Sequence, residues 1–232
     1  MSALLLPGVQ SQIGPLQRII AAEYAGQESS GPMLRTWGAA GPAEIPAFNS
    51  PGTTDGPGEL QARELLSDSE QEVLAATDLF DLRTGPVELW YRPSSTRNTS
   101  TFVGTTHDRS SVGNTTQWAM IQVSNGYRLF VLNESNDFVT TDGGSPTAEV
   151  FTRIYVDHHD NVTTLRVNGE KDATEQTITN NEVNHFALGC PAQITRISGA
   201  LLRKYTRPLT EAEHACMLAN PVMAKDLRGA NP

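Results

Sequence analysis

Trp118-Ala119-Met120-Ile121-Gln122-Val123, then Ser124-Asn125-Gly126, then Tyr127-Arg128-Leu129-Phe130-Val131-Leu132 is the stretch that decides the fold. Two apolar runs flank an Asn-Gly pair, and both of those residues tolerate the positive φ of a tight type I′ turn. The stretch therefore reads as a β-hairpin. Upstream, Val87, Leu89 and Tyr91 alternate with Glu88, Trp90 and Arg92 up to Pro93, the period of a strand with two different faces. Downstream, Phe151 to Val156 makes a further strand, and Asp157-His158-His159-Asp160-Asn161 is a polar reversal. Val162 to Val167 returns, Asn168-Gly169 turns again, and further strands follow near Phe186–Leu188 and Ile194–Tyr205. Many short strands with frequent turn signals and almost no helix indicate a sandwich or barrel.

One good helix stands near the end. Thr210-Glu211-Ala212-Glu213 is a capping box, in which the Thr210 hydroxyl meets an N3 amide and Glu213 reaches back. Ala212, Ala215, Cys216 and Ala219 then share one narrow face of small residues, suited to lying close on a sheet, and Pro221 stops the helix. Cys216 is expected to be buried there.

The first fifty residues differ. Pro7-Gly8, Gly14-Pro15, Gly31-Pro32, Gly41-Pro42 and Pro46 break the chain every ten residues or so, leaving one amphipathic stretch with Leu16, Ile19, Ile20 and Tyr24 at helical spacing. The expected organisation is an extended N-terminal arm over residues 1–47, a sandwich over 48–221 and a short tail over 222–232. Such an arm lies across a neighbouring subunit, with Leu16, Ile19, Ile20 and Trp37 as its anchors.

The order of features from Val87 onward resembles the laminin-G-like modules of the concanavalin-A-like lectin and glucanase superfamily. The resemblance rests on Val87-Glu88-Leu89-Trp90-Tyr91-Arg92-Pro93, Ser124-Asn125-Gly126-Tyr127-Arg128-Leu129, Ile154-Tyr155-Val156-Asp157, Leu165-Arg166-Val167-Asn168-Gly169 and the closing run from Ser198 to Glu213. It covers about three quarters of the chain and implies an all-β, two-sheet antiparallel jelly-roll sandwich. Relatives of this kind bind glycans or proteins, hydrolyse polysaccharides, or serve as surface domains of larger assemblies. The resemblance also makes calcium held by loop aspartates conceivable, with Asp108, Asp142 and Asp157 as the available carboxylates.

The chain of 232 residues is 38% hydrophobic and 19% charged, with a formal charge of -9 and a pI near 5.0. No basic run is present, which argues against a nucleic-acid partner, since phosphate neutralisation requires clustered Lys and Arg. The start has neither a basic n-region nor a long apolar stretch, so no signal peptide and no membrane insertion are expected. Cys190 and Cys216 are too few for a disulfide scaffold or a zinc site, and buried thiols are the expected state.

Polysaccharide hydrolysis on this fold would need paired carboxylates on one strand, spaced to share a face. Glu64-Leu65-Leu66-Ser67-Asp68-Ser69-Glu70 has acids at the wrong spacing. His158-His159-Asp160 reads as a hairpin tip, because adjacent strand residues point to opposite faces, and His107-Asp108 is a loop pair without a third ligand. No catalytic set and no resident cofactor are expected. Glycan binding would use aromatic platforms, for which Trp118, Tyr127 and Tyr155 are the candidates. Two functions follow as expectations. The first is a non-enzymatic structural protein of a large assembly, a phage virion component made in the host cytoplasm (capsid decoration, head fibre or tail accessory). Its partners would be other structural proteins and copies of itself. The second is a lectin-like module that binds cell-surface glycans.

Overall fold

The computed structural model describes residues 16, 18–26, 31–48, 52–57, 61–65, 71–75, 78–93, 100–106, 115–123, 126–183, 185–189 and 197–219. Along the chain the strands are β1 (Ile20–Ala25), β2 (Met33–Gly38), β3 (Glu44–Ile45), β4 (Ala47–Phe48), β5 (Gly52–Asp55), β6 (Gln61–Leu65), β7 (Gln71–Ala75) and β8 (Val87–Pro93). They continue as β9 (Ser100–Thr106), β10 (Thr115–Val123), β11 (Gly126–Leu132), β12 (Phe138–Gly143), β13 (Thr152–His159), β14 (Val162–Val167), β15 (Glu170–Glu175), β16 (His185–Leu188) and β17 (Ile197–Tyr205). A 3-10 turn at Leu82–Thr84 precedes β8, and one α-helix, Glu211–Ala219, follows β17.

These strands make two antiparallel sheets. The ten-stranded sheet runs β15-β14-β13-β8-β17-β1-β2-β3, with β6 also on β17 and β5 on β6. The seven-stranded sheet runs β12-β11-β10-β9-β16-β7-β4. The core lies between them: Val87, Leu89, Ile154, Val156, Leu165 and Leu202 from the larger sheet meet Val103, Trp118, Met120, Tyr127, Leu129 and Val131 from the smaller. The fold is thus the expected all-β, two-sheet antiparallel sandwich. At one side the sheets meet edge to edge, where Thr141 Oγ1 donates to Thr174 Oγ1 over 2.8 Å.

Local sequence accounts for the hairpins. Asp160 and Asn161 have φ of 51° and 58°, and Asn168 and Gly169 have 51° and 95°, so both two-residue turns are left-handed as type I′ demands. The β10–β11 hairpin also forms, but its register pairs Val123 with Gly126. Gly126 therefore belongs to the strand, and residues 124 and 125 lie outside the described residues. The capping box closes as expected: Glu213 N donates to Thr210 Oγ1 at 3.3 Å and Thr210 N donates to Glu213 Oε2 at 2.7 Å.

The expected arm is different. Residues 20–48 contribute β1 to β4, and β1 lies inside the larger sheet between β17 and β2. The reason is the length of β17. Its N-terminal half pairs with β6 (Ile197 with Leu65, Ala200 with Arg63), and its C-terminal half needs another partner for its backbone groups. Ile20 to Tyr24 supplies it, pairing with Tyr205 back to Leu202. The helical spacing of Leu16, Ile19, Ile20 and Tyr24 holds only at residues 16, 18 and 19, which are helical before the chain enters β1. A strand buried on both faces gives a near-continuous buried run, which periodicity alone does not separate from a helix. The arm's first residues and the 222–232 tail lie outside the described residues.

Candidate functional site

The two outer faces of the sandwich have opposite characters. On the larger sheet, alternation that turns Val87 and Leu89 into the core turns Glu88 and Trp90 outward. This outer face is nevertheless closed. The C-terminal helix lays Cys216 and Met217 over it, where they pack with Leu16, Ile19, Ile20, Tyr155, Tyr205 and Leu209, and Trp37 packs at the border.

Beneath that cover lies a buried ion network. The register sets Glu23 of β1, Arg203 of β17 and Glu88 of β8 side by side. Arg203 donates to Glu23 Oε2 and to Glu88 Oε1, each at 2.8 Å. Arg153 Nε donates to Glu88 Oε2 at 2.6 Å, and Trp90 Nε1 and Tyr205 Oη donate to the same carboxylate at 2.9 and 3.0 Å. Burial opposes the ionised form of Glu88, yet Arg153 and Arg203 together hold its carboxyl down to about 2. His214 Nδ1 faces Arg153 Nη1 at 3.2 Å, and burial together with Arg153 and Arg166 holds the imidazole down to about 4. These acids, bases and the histidine are all buried and engage one another. The cluster fastens the helix to the sheet and presents no group to a substrate.

Among the described residues, the outer face of the smaller sheet is exposed at Arg128 of β11 and at Phe138 and Asp142 of β12. The register places Ile121, Arg128 and Asp142 in one row, and Ala119, Phe130 and Thr140 in the next. Phe138 follows opposite Leu132 and is 52% exposed, with its ring edge-on to Phe130 at 6.0 Å. Arg128 and Asp142 form a flat bidentate pair, Nε to Oδ1 at 2.5 Å and Nη2 to Oδ2 at 2.7 Å. The hydrogen bond from Arg128 keeps the Asp142 carboxyl below its usual range. An exposed phenylalanine ring, flanked by the half-buried Phe130 and a planar polar pair on a sheet, is a surface that can receive a flat, amphipathic partner.

The aromatic platforms expected from sequence lie elsewhere. Trp118 and Tyr127 are in the inter-sheet core at 1% and 0% exposure, and Trp118 Nε1 donates to the carbonyl of Phe80 at 2.9 Å. Burial pushes the Tyr127 hydroxyl up to about 12. Tyr155 points to the outer side of the larger sheet, but the helix covers it and its Oη accepts from Leu209 N at 3.1 Å. None of the three is placed to touch a glycan. The side chain that does stand out is Phe138 at the start of β12, beside the half-buried Phe130; only Phe130 was legible, as the residue between Leu129 and Val131 that the β11 alternation turns outward.

The expected anchors Leu16, Ile19 and Ile20 are buried in the chain's own helix–sheet cluster, with Trp37 packed against it, so they are not free to grip a neighbour. Of the conceivable calcium ligands, Asp142 is paired with Arg128 and Asp157 lies in β13, while Asp108 is outside the described residues. Among the described residues, no group of three His, Cys, Asp or Glu side chains is placed to hold a metal. His158 meets Thr163 Oγ1 at 2.9 Å and His159 meets Asp160 at 3.3 Å, the divergence expected at a hairpin tip. His107, the acids at 66–70 and Cys190 lie outside the described residues, and Cys216 is buried. Among the described residues, no helix is long and apolar enough to cross a membrane.

No family model matches the chain, and no curated protein sequence matches it either. Solved structures do. The botulinum neurotoxin serotype D binding domain superposes with a TM-score of 0.62 at 9% identity, over 89% of this chain and 53% of that one. The binding domain of Paraclostridial Mosquitocidal Protein 1 gives 0.61 at 9% identity, over 88% and 52%. The botulinum neurotoxin type G receptor binding domain gives 0.59 at 12% identity, over 88% and 51%. The chain thus spans about half the length of these structures, and at such identity the likeness is one of fold: the protein is a β-sandwich of the kind found within these binding domains.

Proposed function

We propose that the protein is a non-enzymatic binding module that receives its partner on the open β10–β12 face. The observation that carries this reading is the exposed Phe138, braced by Phe130 and bordered by the Arg128–Asp142 pair, on a sheet face over which no helix lies among the described residues. The similar structures include domains described as receptor-binding, which is in keeping with such a role. A sugar ring suits the face: its C–H side stacks on an aromatic ring while its hydroxyls bridge the carboxylate and guanidinium. Placement among the laminin-G-like modules belongs to the same proposal.

A second reading keeps the protein as a virion component, attached through this face to other structural proteins. It no longer draws support from the anchor residues, which are turned into their own sandwich. The experiment is a glycan array probed with the wild-type chain and with Phe138→Ala. The lectin-like reading expects array signals that the variant lowers at least tenfold, with an unchanged melting temperature. A blank array for the folded wild type overturns it. In that case, co-sedimentation with assembled particles, lost in Phe138→Ala, is the result that would favour the assembly role.

A further inference from the structure

A cleft of about 310 Å³ opens at one end of the sandwich, away from the β10–β12 face. One wall comes from Ala40 and Gly41 in the turn after β2, another from Leu79 and Thr84 before β8, and the floor from Ala21 and Lys204. Lys204 is 2% exposed. Asp78 also lines the cleft, but among the described residues no carboxylate forms an ion pair with Lys204. Instead, Nζ donates to two backbone carbonyls, Asp81 at 2.7 Å and Gly85 at 2.5 Å. Those carbonyls bracket Thr84, which lines the cleft, so Nζ sits within the arc of chain that forms that wall.

The donor arrangement has a chemical consequence. A tetrahedral nitrogen that gives two N–H bonds to carbonyls keeps its third position for either a proton or a lone pair. A neutral amine satisfies both carbonyls and still has its lone pair left over. The protonated form must instead be buried with Asp78 and Asp81 on the adjoining segment and Asp157 on β13 as the acidic groups nearby. Burial wins over those three and pulls the Lys204 ammonium down to about 7, against an ordinary 10.5.

We infer that Lys204 is a nucleophilic amine at the floor of this cleft, which takes a small aldehyde and binds it covalently as an imine. The Nζ lone pair attacks the carbonyl carbon, and the carbonyl oxygen collects a proton to give a carbinolamine. Loss of that hydroxyl as water, together with the second nitrogen-bound proton, leaves a C=N bond to Nζ, so the imine forms at the expense of both N–H donations to the Asp81 and Gly85 carbonyls. The condensation is reversible and redox-neutral. This site is separate from the open sheet face, and its existence does not depend on what that face binds.

The sequence makes the test clean, since Lys171, Lys204 and Lys225 are the only lysines. The folded protein is treated with propionaldehyde and sodium cyanoborohydride, which reduces any imine to a stable secondary amine, and each lysine's adduct is followed by peptide mass spectrometry. Lys204 is expected to be labelled at least tenfold faster than Lys171 at pH 7, with a rate that rises between about pH 6 and 8 and is flat above. Labelling of Lys204 no faster than Lys171, or a rate that climbs to pH 10 alongside Lys171, overturns the inference. So does labelling of Lys204 that accelerates with sub-denaturing urea in step with global unfolding, because the amine would then react only when the sandwich opens.

Discussion

Arg203 of β17 donates to Glu88 of β8 across 2.8 Å, with both side chains fully shielded from solvent on what is formally the outside of a sheet. The relationship defines the larger sheet: its outer face behaves as a second interior, sealed by the C-terminal helix and the residues that lead into β1. Two carboxylates and two guanidinia neutralise each other there, and Trp90, Tyr205 and Thr36 supply further hydrogen bonds to Glu88 and Glu23.

Arg203→Met tests how much that interior depends on balance. Removing one partner leaves Glu23 and Glu88 buried together without their shared cation. A loss of about 3–5 kcal/mol of unfolding free energy is expected, read from urea denaturation. A change below about 1 kcal/mol would mean that the network relaxes without cost.

Acid should weaken the protein through His214. Its folded pKa is about 4 against 6.5 for the free side chain, so between these values the unfolded chain binds the proton first. Stability therefore falls as the pH drops from about 6.5 to 4, by on the order of 3 kcal/mol for this one group. His214→Asn keeps an acceptor toward Arg153 and cannot titrate. The stability of the wild type minus that of the variant, measured at several pH values, should increase on going from pH 4 to pH 7; a constant difference would contradict the assignment. Glu88 and Glu213, both held to about 2 against an ordinary 4.5, add to the loss from about pH 4.5 downward.

The alkaline side runs the other way. Lys204 is held down to about 7, so from there to about 10.5 the unfolded chain carries the extra proton. Stability should rise with pH across that range, because the cost of a buried ammonium is relieved. Above pH 10 the trend should reverse: Tyr24 and Tyr127 are pushed up to about 12 by burial, and the unfolded chain then loses their protons first. A Lys204→Met variant should lack the rise between pH 7 and 10 in thermal melts, and a rise that persists in it would refute the assignment.

Gly85 is a position where a side chain has no room. Its φ is 134°, and a Cβ there would come within 2.3 Å of the Tyr205 carbonyl oxygen. Gly85→Ala is expected to cost about 2 kcal/mol or more, since the neighbour is backbone of the central strand β17. The same substitution at Gly169 meets only the end of Leu218 at 3.4 Å, but its φ of 95° still requires glycine. Gly169→Ala should therefore cost less, and equal losses in chemical denaturation would show that backbone strain outweighs the clash.

Much of the chain was legible without the structure because the deciding interactions are close in sequence. Asp160-Asn161 and Asn168-Gly169 determine their own turns through φ, and Thr210 and Glu213 cap a helix three residues apart. Alternation in β8 and β11 separates the two faces of each strand before any partner is known. What alternation leaves open is which face is covered, and by what. Tyr155 faces outward by its register, yet it is buried because a helix fifty residues later lies on it. Phe130 and Phe138 face outward, and Phe138 stays exposed while Phe130 is half-buried beside it.

The opening hairpin shows both sides of this. Its sequence alone determined that β10 and β11 pair and that the chain reverses near Asn125, since the turn propensity and the apolar runs are local. The tertiary structure decided that Trp118 and Tyr127 face the core and that Phe130 faces out, because only the second sheet tells one side of a strand from the other. It also decided that Ile20–Ala25, Met33–Gly38, Glu44–Ile45 and Ala47–Phe48 are strands of the sheets. The exposed backbone edge of β17, almost two hundred residues away, is what gives Ile20–Ala25 a place to pair, and no local pattern in the first fifty residues encodes that edge.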